Sequence, residues 1–142
     1  MGNCNNKIEV DQPIDIVWET IKDFHDMSWA SDAITSVTKV GSKSGHDPGA
    51  KRIINGAFHE TLIEIHPDNY TFSYSIDDGP RPVSSSVVEK YVGVVKLSKY
   101  GSGTLVEWNL VFTSENDIEV VEFCTPIYSA CLHSLKEHLI HW

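Results

Sequence analysis

The spacing of hydrophobic positions changes twice along the chain. Lys7 to Val10 alternates polar and apolar residues, which predicts a short strand. Pro13 then opens a helical segment, at the one place where its fixed φ and missing N–H are harmless. Ile14, Val17, Trp18, Ile21 and Phe24 follow at three- and four-residue steps, an apolar stripe that has to be buried. Asp26 to Ala33 is mixed and short, enough for one further helical turn.

From Ile34 the period becomes two. Ile34 to Val40 is β-rich, and Gly41 to Pro48 is a polar, glycine-containing loop. Gly49 to Ile54 and Phe58 to Ile65 flank Asn55-Gly56, the strongest short hairpin signal. Tyr70, Phe72, Tyr74 and Ile76 alternate with Thr71, Ser73 and Ser75, giving a strand with an aromatic inner face. Gly79, Pro80 and Pro82 interrupt the pattern. A long strand is predicted over Ser84 to Tyr100, with Val87, Glu89, Tyr91, Val95 and Leu97 of one parity. Gly101-Ser102-Gly103 turns the chain into Thr104 to Thr113, where Val106, Trp108, Leu110 and Phe112 share a face.

Helical spacing returns over Asp117 to His141. Val121, Cys124, Tyr128, Cys131, Leu135 and Leu139 form its stripe. Pro126 interrupts it, so either Thr125 caps a helix starting at Pro126 or a longer helix kinks there. The order strand, helix, short helical piece, six strands, helix predicts an α+β domain in which a curled antiparallel meander holds a terminal helix in its concave face.

Composition narrows the setting more than the activity. The 142 residues fit one domain, and 41% hydrophobic with 22% charged residues is an ordinary globular balance. Eleven Lys and Arg stand against twenty Asp and Glu, a formal charge of −9 that repels phosphate backbones and disfavours nucleic acid. No apolar run reaches the ~18–20 residues of a membrane span, and the polar start Met1 to Lys7 carries no secretory signal. Position 6 is Asn, where an N-myristoylation signal wants Ser or Thr. Cys4, Cys124 and Cys131 form no disulfide framework, so a reducing, cytoplasmic setting is expected. The seven histidines have no metal-ligand spacing, and Ser84-Ser85-Ser86 lacks the context of a hydrolase nucleophile. No metal and no cofactor are expected, and the expected state is a monomer or weak homodimer.

Several residues in order resemble a known family. Pro13-x-x-x-Val17-Trp18-x-x-Ile21-x-Asp23-Phe24, Trp29, Gly49-x-x-Arg52, Glu60-x-Leu62, Tyr74, Pro80-x-Pro82-Val83 and Val106-x-Trp108 are similar to the polyketide cyclase/dehydrase and lipid-transport branch of the SRPBCC superfamily. The resemblance covers essentially the whole chain. It implies a helix-grip fold: a curved sheet of about seven strands around a long C-terminal helix, with an internal cavity between them. It extends to plant abscisic-acid receptors, whose two closing loops correspond to Asn55-Gly56-Ala57 and Asp78 to Pro82 here. The family is functionally broad, so fold membership leaves activity open.

Glu60 is the first candidate for chemistry. A two-residue Asn55-Gly56 turn would place Ile53 opposite Phe58, Arg52 opposite His59 and Lys51 opposite Glu60. The resemblance puts Glu60 inside, with Phe58 and Leu62 on its face, as a polar anchor or general base. The competing reading is an exposed Glu60–Lys51 pair with Arg52 and His59 inside, since Ile63 and Ile65 make the opposite face the more apolar one. Tyr74, Tyr91 and Trp108 offer apolar bodies with one polar tip each. With Trp29, Ile53, Phe72, Cys124, Tyr128 and Cys131 they complete the expected cavity lining.

Three functions fit. The first is non-covalent binding of a small hydrophobic or amphipathic, lipid-like or polyketide-like molecule. The second is a cyclase or dehydratase moving protons with Glu60, Tyr74 or the Arg52–His59 pair. The third is a protein-interaction module whose cavity has collapsed.

Overall fold

The computed structural model describes residues 2–140. Its elements run β1 (Gly2–Val10), α1 (Ile14–Ile21), a single 3₁₀ turn (Ser28–Ala30), β2 (Val37–Val40), β3 (Lys51–Ile54), β4 (Phe58–His66), β5 (Thr71–Asp78), β6 (Val88–Tyr100), β7 (Gly103–Ser114) and α2 (Asp117–Ile140), with a second 3₁₀ turn at Pro67–Asn69. The seven strands form one antiparallel sheet in the order β1-β7-β6-β5-β4-β3-β2. Six consecutive strands thus make the expected meander, and β1 closes the far edge beside β7. This is the helix-grip architecture, with α2 packed against the sheet's inner face.

β1 is longer than its alternation implies. Asn3, Asn5 and Asn6 give no strand signal, yet Gly2 to Val10 pairs in unbroken register with Phe112 to Thr104. Ladder hydrogen bonds hold these first residues, helped by buried Cys4 and by Asn6 Nδ2, which donates to the Trp108 carbonyl at 3.3 Å. At the other edge only Val37–Val40 is strand. Ala33 and Ile34 instead follow the 3₁₀ turn and pack on the core, through Ala33 N–H and Ile34 N–H bonds to the Ala30 carbonyl.

The β3–β4 hairpin differs from expectation by one residue. Asn55 and Gly56 are both left-handed, as an Asn-Gly turn requires, and Ala57 N–H bonds the Ile54 carbonyl at 2.9 Å. Ala57 nevertheless stays outside the ladder, and Ile54 opposes Phe58. The Asn55 side chain explains why the turn is held open: its Oδ1 accepts from Thr35 N–H at 2.7 Å and from Thr35 Oγ1 at 3.1 Å, while Asn55 N–H donates to the Ser36 carbonyl. The turn is therefore tied to the chain entering β2. The resulting register pairs Arg52 with Glu60, Ile53 with His59 and Lys51 with Thr61.

β6 carries a second departure. Lys90 is left-handed and the β6–β7 register slips between Glu89 and Val92. This bulge reverses the parity upstream, so Val88 is buried while Glu89 is exposed and Val87 only half-buried. Opposite Tyr74 on β5 lies Gly93, where a Cβ would sit 2.5 Å from the tyrosine ring. Only glycine leaves room for Tyr74 to lie flat there.

α2 runs through Pro126 without a break. Asn116 caps it: Glu119 N–H donates to Asn116 Oδ1 at 3.1 Å, and Asn116 Nδ2 donates back to Glu119. Thr125 caps nothing. Its hydroxyl bonds the Val121 carbonyl at 2.8 Å, one turn back, beside the point where Pro126 has no N–H for Glu122. Val120, Cys124, Tyr128, Cys131, Leu132, Leu135 and Leu139 are buried on the inner stripe.

Candidate functional site

A cavity of about 310 Å³ lies between the inner face of the sheet and the middle of α2. The sheet contributes Ile54, Phe58, Glu60, Tyr91 and Trp108; α2 contributes Cys124, Pro126, Ile127, Tyr128, Ala130 and Cys131. Met27, Ala33, Ile34 and Asn55 complete the wall. Asn55 and Pro126 are exposed, and Ala33, Ile34, Phe58, Ile127 and Ala130 half-buried, so these residues mark the mouth. Glu60, Tyr91, Trp108 and Tyr128 are buried and mark the floor.

The one-residue shift in the hairpin decides what the floor contains. Opposed residues on antiparallel strands share a face, so Arg52 and Glu60 both turn inward, 3% and 4% exposed. Arg52 Nε donates to Glu60 Oε1 at 2.8 Å, and Nη2 reaches the same oxygen at 2.6 Å. Nη1 donates to the Phe24 carbonyl at 2.8 Å, and the guanidinium stacks 3.8 Å from the Phe24 ring centroid. The arginine is thus consumed by the protein. Both Arg52–Glu60 bonds fall on Oε1, and no described residue donates to Oε2. Burial pushes the Glu60 carboxyl above the usual range, with Arg52 pulling it back only in part.

Beside the ion pair runs a chain of neutral groups. Trp108 Nε1 donates to Tyr74 Oη at 2.8 Å, and Tyr74 donates to Tyr128 Oη at 3.4 Å. Tyr91 Oη and Cys124 Sγ lie 2.9 Å apart. Burial raises all three tyrosines well above their ordinary value, pushes the Cys124 thiol up to about 11, and pushes Cys131 to about 12. These hydroxyls and thiols stay protonated near neutral pH and act as dipoles.

Of the residues singled out from sequence, Phe58, Glu60, Tyr91, Trp108, Cys124, Tyr128 and Cys131 meet at the cavity. Tyr74 lies behind it, reaching the wall only through Trp108 and Tyr128. Leu62 is core. Trp29 and Phe72 line a separate void of about 10 Å³ beneath the floor. Ile53 and His59 are corrections: they oppose each other on the outer face, His59 exposed because it alternates with inward Glu60 on β4, and Ile53 half-buried because the three-residue turn reverses the β3 parity a two-residue turn would impose. The Arg52–His59 pair therefore does not exist, nor does Glu60–Lys51; Lys51 Nζ instead donates to Thr61 at 2.9 Å. The mouth residues Ala33, Ile34, Ile127 and Ala130 escaped the sequence reading because small or aliphatic half-buried positions carry no chemical signal. Among the described residues there is no cluster of three potential metal ligands and no helix long and apolar enough to cross a membrane.

Comparisons with known proteins agree on one assignment. The family model described as polyketide cyclase/dehydrase and lipid transport matches residues 1–139. A solved protein from Nitrosospira multiformis is 38% identical, with 96% of this chain and 95% of that one superposed at a TM-score of 0.93. XoxI from Bacillus cereus, 22% identical over 99% of this chain and 96% of its own, gives 0.79. Ara h 8.0201, 16% identical over 99% and 98%, gives 0.77 and shares the fold. No curated protein matches the sequence.

Proposed function

The chain belongs to the polyketide cyclase/dehydrase and lipid-transport family, and on that premise we propose that it binds a small hydrophobic or amphipathic molecule in the cavity between sheet and α2. The observation that carries this reading is the wall itself: aromatic and aliphatic side chains around about 310 Å³, with a single ionisable carboxyl among neutral polar groups. Apolar walls with a few placed polar groups are the usual make-up of small-molecule sites, and the volume lies at the lower end of their range. A collapsed interaction module would leave no such space.

Ala130 sits on α2 at the mouth, half-buried, where a large side chain would project into the opening. Titration with the neutral apolar fluorophore Nile red should give saturable one-site binding to the natural sequence. Ala130→Trp should lose it while keeping the far-ultraviolet circular dichroism. No saturable binding, or binding untouched by Ala130→Trp, would sink the proposal.

A second reading, acid–base catalysis, is favoured by one feature: Glu60 lines the cavity and its Oε2 receives no donor from the described residues, on a carboxyl whose proton affinity burial has raised. Tyr74 is walled off and His59 points outward, so Glu60 alone would have to move protons. For a carbonyl substrate of such an enzyme, Glu60→Gln would lower turnover by roughly 10²-fold or more. A pure binder shows no turnover to lose.

A further inference from the structure

The charge of the cavity wall selects among apolar ligands, and this inference rests on the binding role proposed above. We infer that the site takes a flat, apolar molecule whose polar end is a hydrogen-bond donor such as a hydroxyl, and that it rejects molecules ending in a carboxylate.

No Lys, Arg or His is among the described residues that line the cavity. The nearest cation, Arg52, is spent: Nε and Nη2 on Glu60 Oε1, Nη1 on the Phe24 carbonyl, and its face on the Phe24 ring. Lys51 points away and bonds Thr61. A ligand carboxylate entering this space would find no partner of opposite sign, and desolvating an unpaired charge is costly. The chain's overall charge of −9 adds long-range repulsion of the same sign.

What the wall does offer is an acceptor. Arg52 places two donors on one carboxylate oxygen, leaving Oε2 free of any donor from the described residues, in a residue that is 4% exposed and lines the cavity. A carboxylate oxygen has room for about two hydrogen bonds, and one that keeps some accessible surface on a cavity-lining residue is open to a ligand donor. The other polar tips are already engaged: Tyr74 with Trp108 and Tyr128, Tyr91 with Cys124. The cavity's aromatic lining presents ring faces and edges, with Trp108 and Tyr128 T-shaped at 4.7 Å and Phe58 tilted against Phe123 at 6.4 Å. Such surfaces favour a planar, π-rich body.

Three naphthalenes of nearly equal size separate the terms: naphthol, its methyl ether, and naphthoate. At neutral pH the first is an uncharged donor, the second has no donor, and the third is an anion. Competition against Nile red should rank naphthol first, the methyl ether weaker by about tenfold, as expected for a hydrogen bond to a charged group, and naphthoate weaker still. Glu60→Gln, confirmed folded by its thermal transition, should narrow the naphthol-to-naphthoate ratio by about tenfold or more. Should that variant fail to fold, the ranking on the natural sequence decides alone. Equal affinities, or tighter naphthoate, overturn the inference while the binding role stands. Nile red bound with none of the naphthalenes competing also overturns it. Failure of Nile red itself removes both.

Discussion

The floor and the mouth of the cavity are built on opposite terms. At the floor every strong polar group but one is already paired: Arg52 is held at three nitrogens, and Trp108, Tyr74 and Tyr128 form a relay of hydrogen bonds. At the mouth Ala33, Ile34, Ile127 and Ala130 are half-buried aliphatic groups with nothing polar to satisfy. The floor couples many residues, so a change there is felt as lost stability. The mouth couples few, so a change there is felt in what can enter. Stability and entry are thereby carried by different residues within one small cavity, and Glu60 alone belongs to both the floor's ion pair and the proposed recognition.

The harshest way to break this division is at Arg52. Arg52→Met leaves Glu60 buried without its cation, and urea unfolding should show a loss of about 3–5 kcal/mol. Replacing Arg52 and Glu60 together by methionine should restore most of it, because the pair as a whole offsets its own desolvation. If the double variant were as unstable as the single one, the ion pair would not be the source of the floor's rigidity.

A milder probe is Tyr74→Phe. It removes the acceptor of Trp108 Nε1 and strands a buried donor, so about 1–3 kcal/mol should be lost in the same assay. Nile red affinity should move little, since Tyr74 lies behind the wall. A large affinity loss at unchanged stability would place Tyr74 on the wrong side of the comparison.

The smallest stability effect is expected at the mouth. Ile127→Ala should cost below about 1 kcal/mol, as partly exposed positions usually do. It should nonetheless shift Nile red affinity measurably by widening the entrance. Equal, negligible effects on both would mean the fluorophore enters elsewhere.

How much of this could be read beforehand depends on the kind of signal. The two periodicities placed Tyr91 and Trp108 on one sheet face and Cys124, Tyr128 and Cys131 on one helix stripe, because burial repeats at 2.0 and about 3.6 residues whatever the loops do. What defeated the reading was single-residue irregularity. Ala57 outside the ladder and left-handed Lys90 each shift parity by one, and nothing in a pattern of apolar positions counts residues through a bulge. Resemblance alone puts Glu60 inside, and an ideal two-residue turn gives it Lys51 as partner in place of Arg52. The start of β1 gives little apolar pattern for another reason: of Asn3 to Asn6 only Cys4 enters the core, and the rest is held largely by backbone pairing with β7.

The three-residue turn at Asn55-Gly56-Ala57 also bears on how such a cavity changes over generations. Exposed hairpin tips tolerate change best. At this tip a change that drew Ala57 into the ladder opposite Ile54, leaving Asn55 and Gly56 alone in the turn, would exchange the whole inward face of β3 at once. Lys51 would come opposite Glu60 and Ile53 opposite Phe58, while Arg52 turned outward. A flexible lysine on a four-carbon stem would replace a fixed guanidinium, and the wall would present a movable cation in place of a lone acceptor. The number of residues this one hairpin leaves outside the ladder is thus a coarse dial on the charge of the wall.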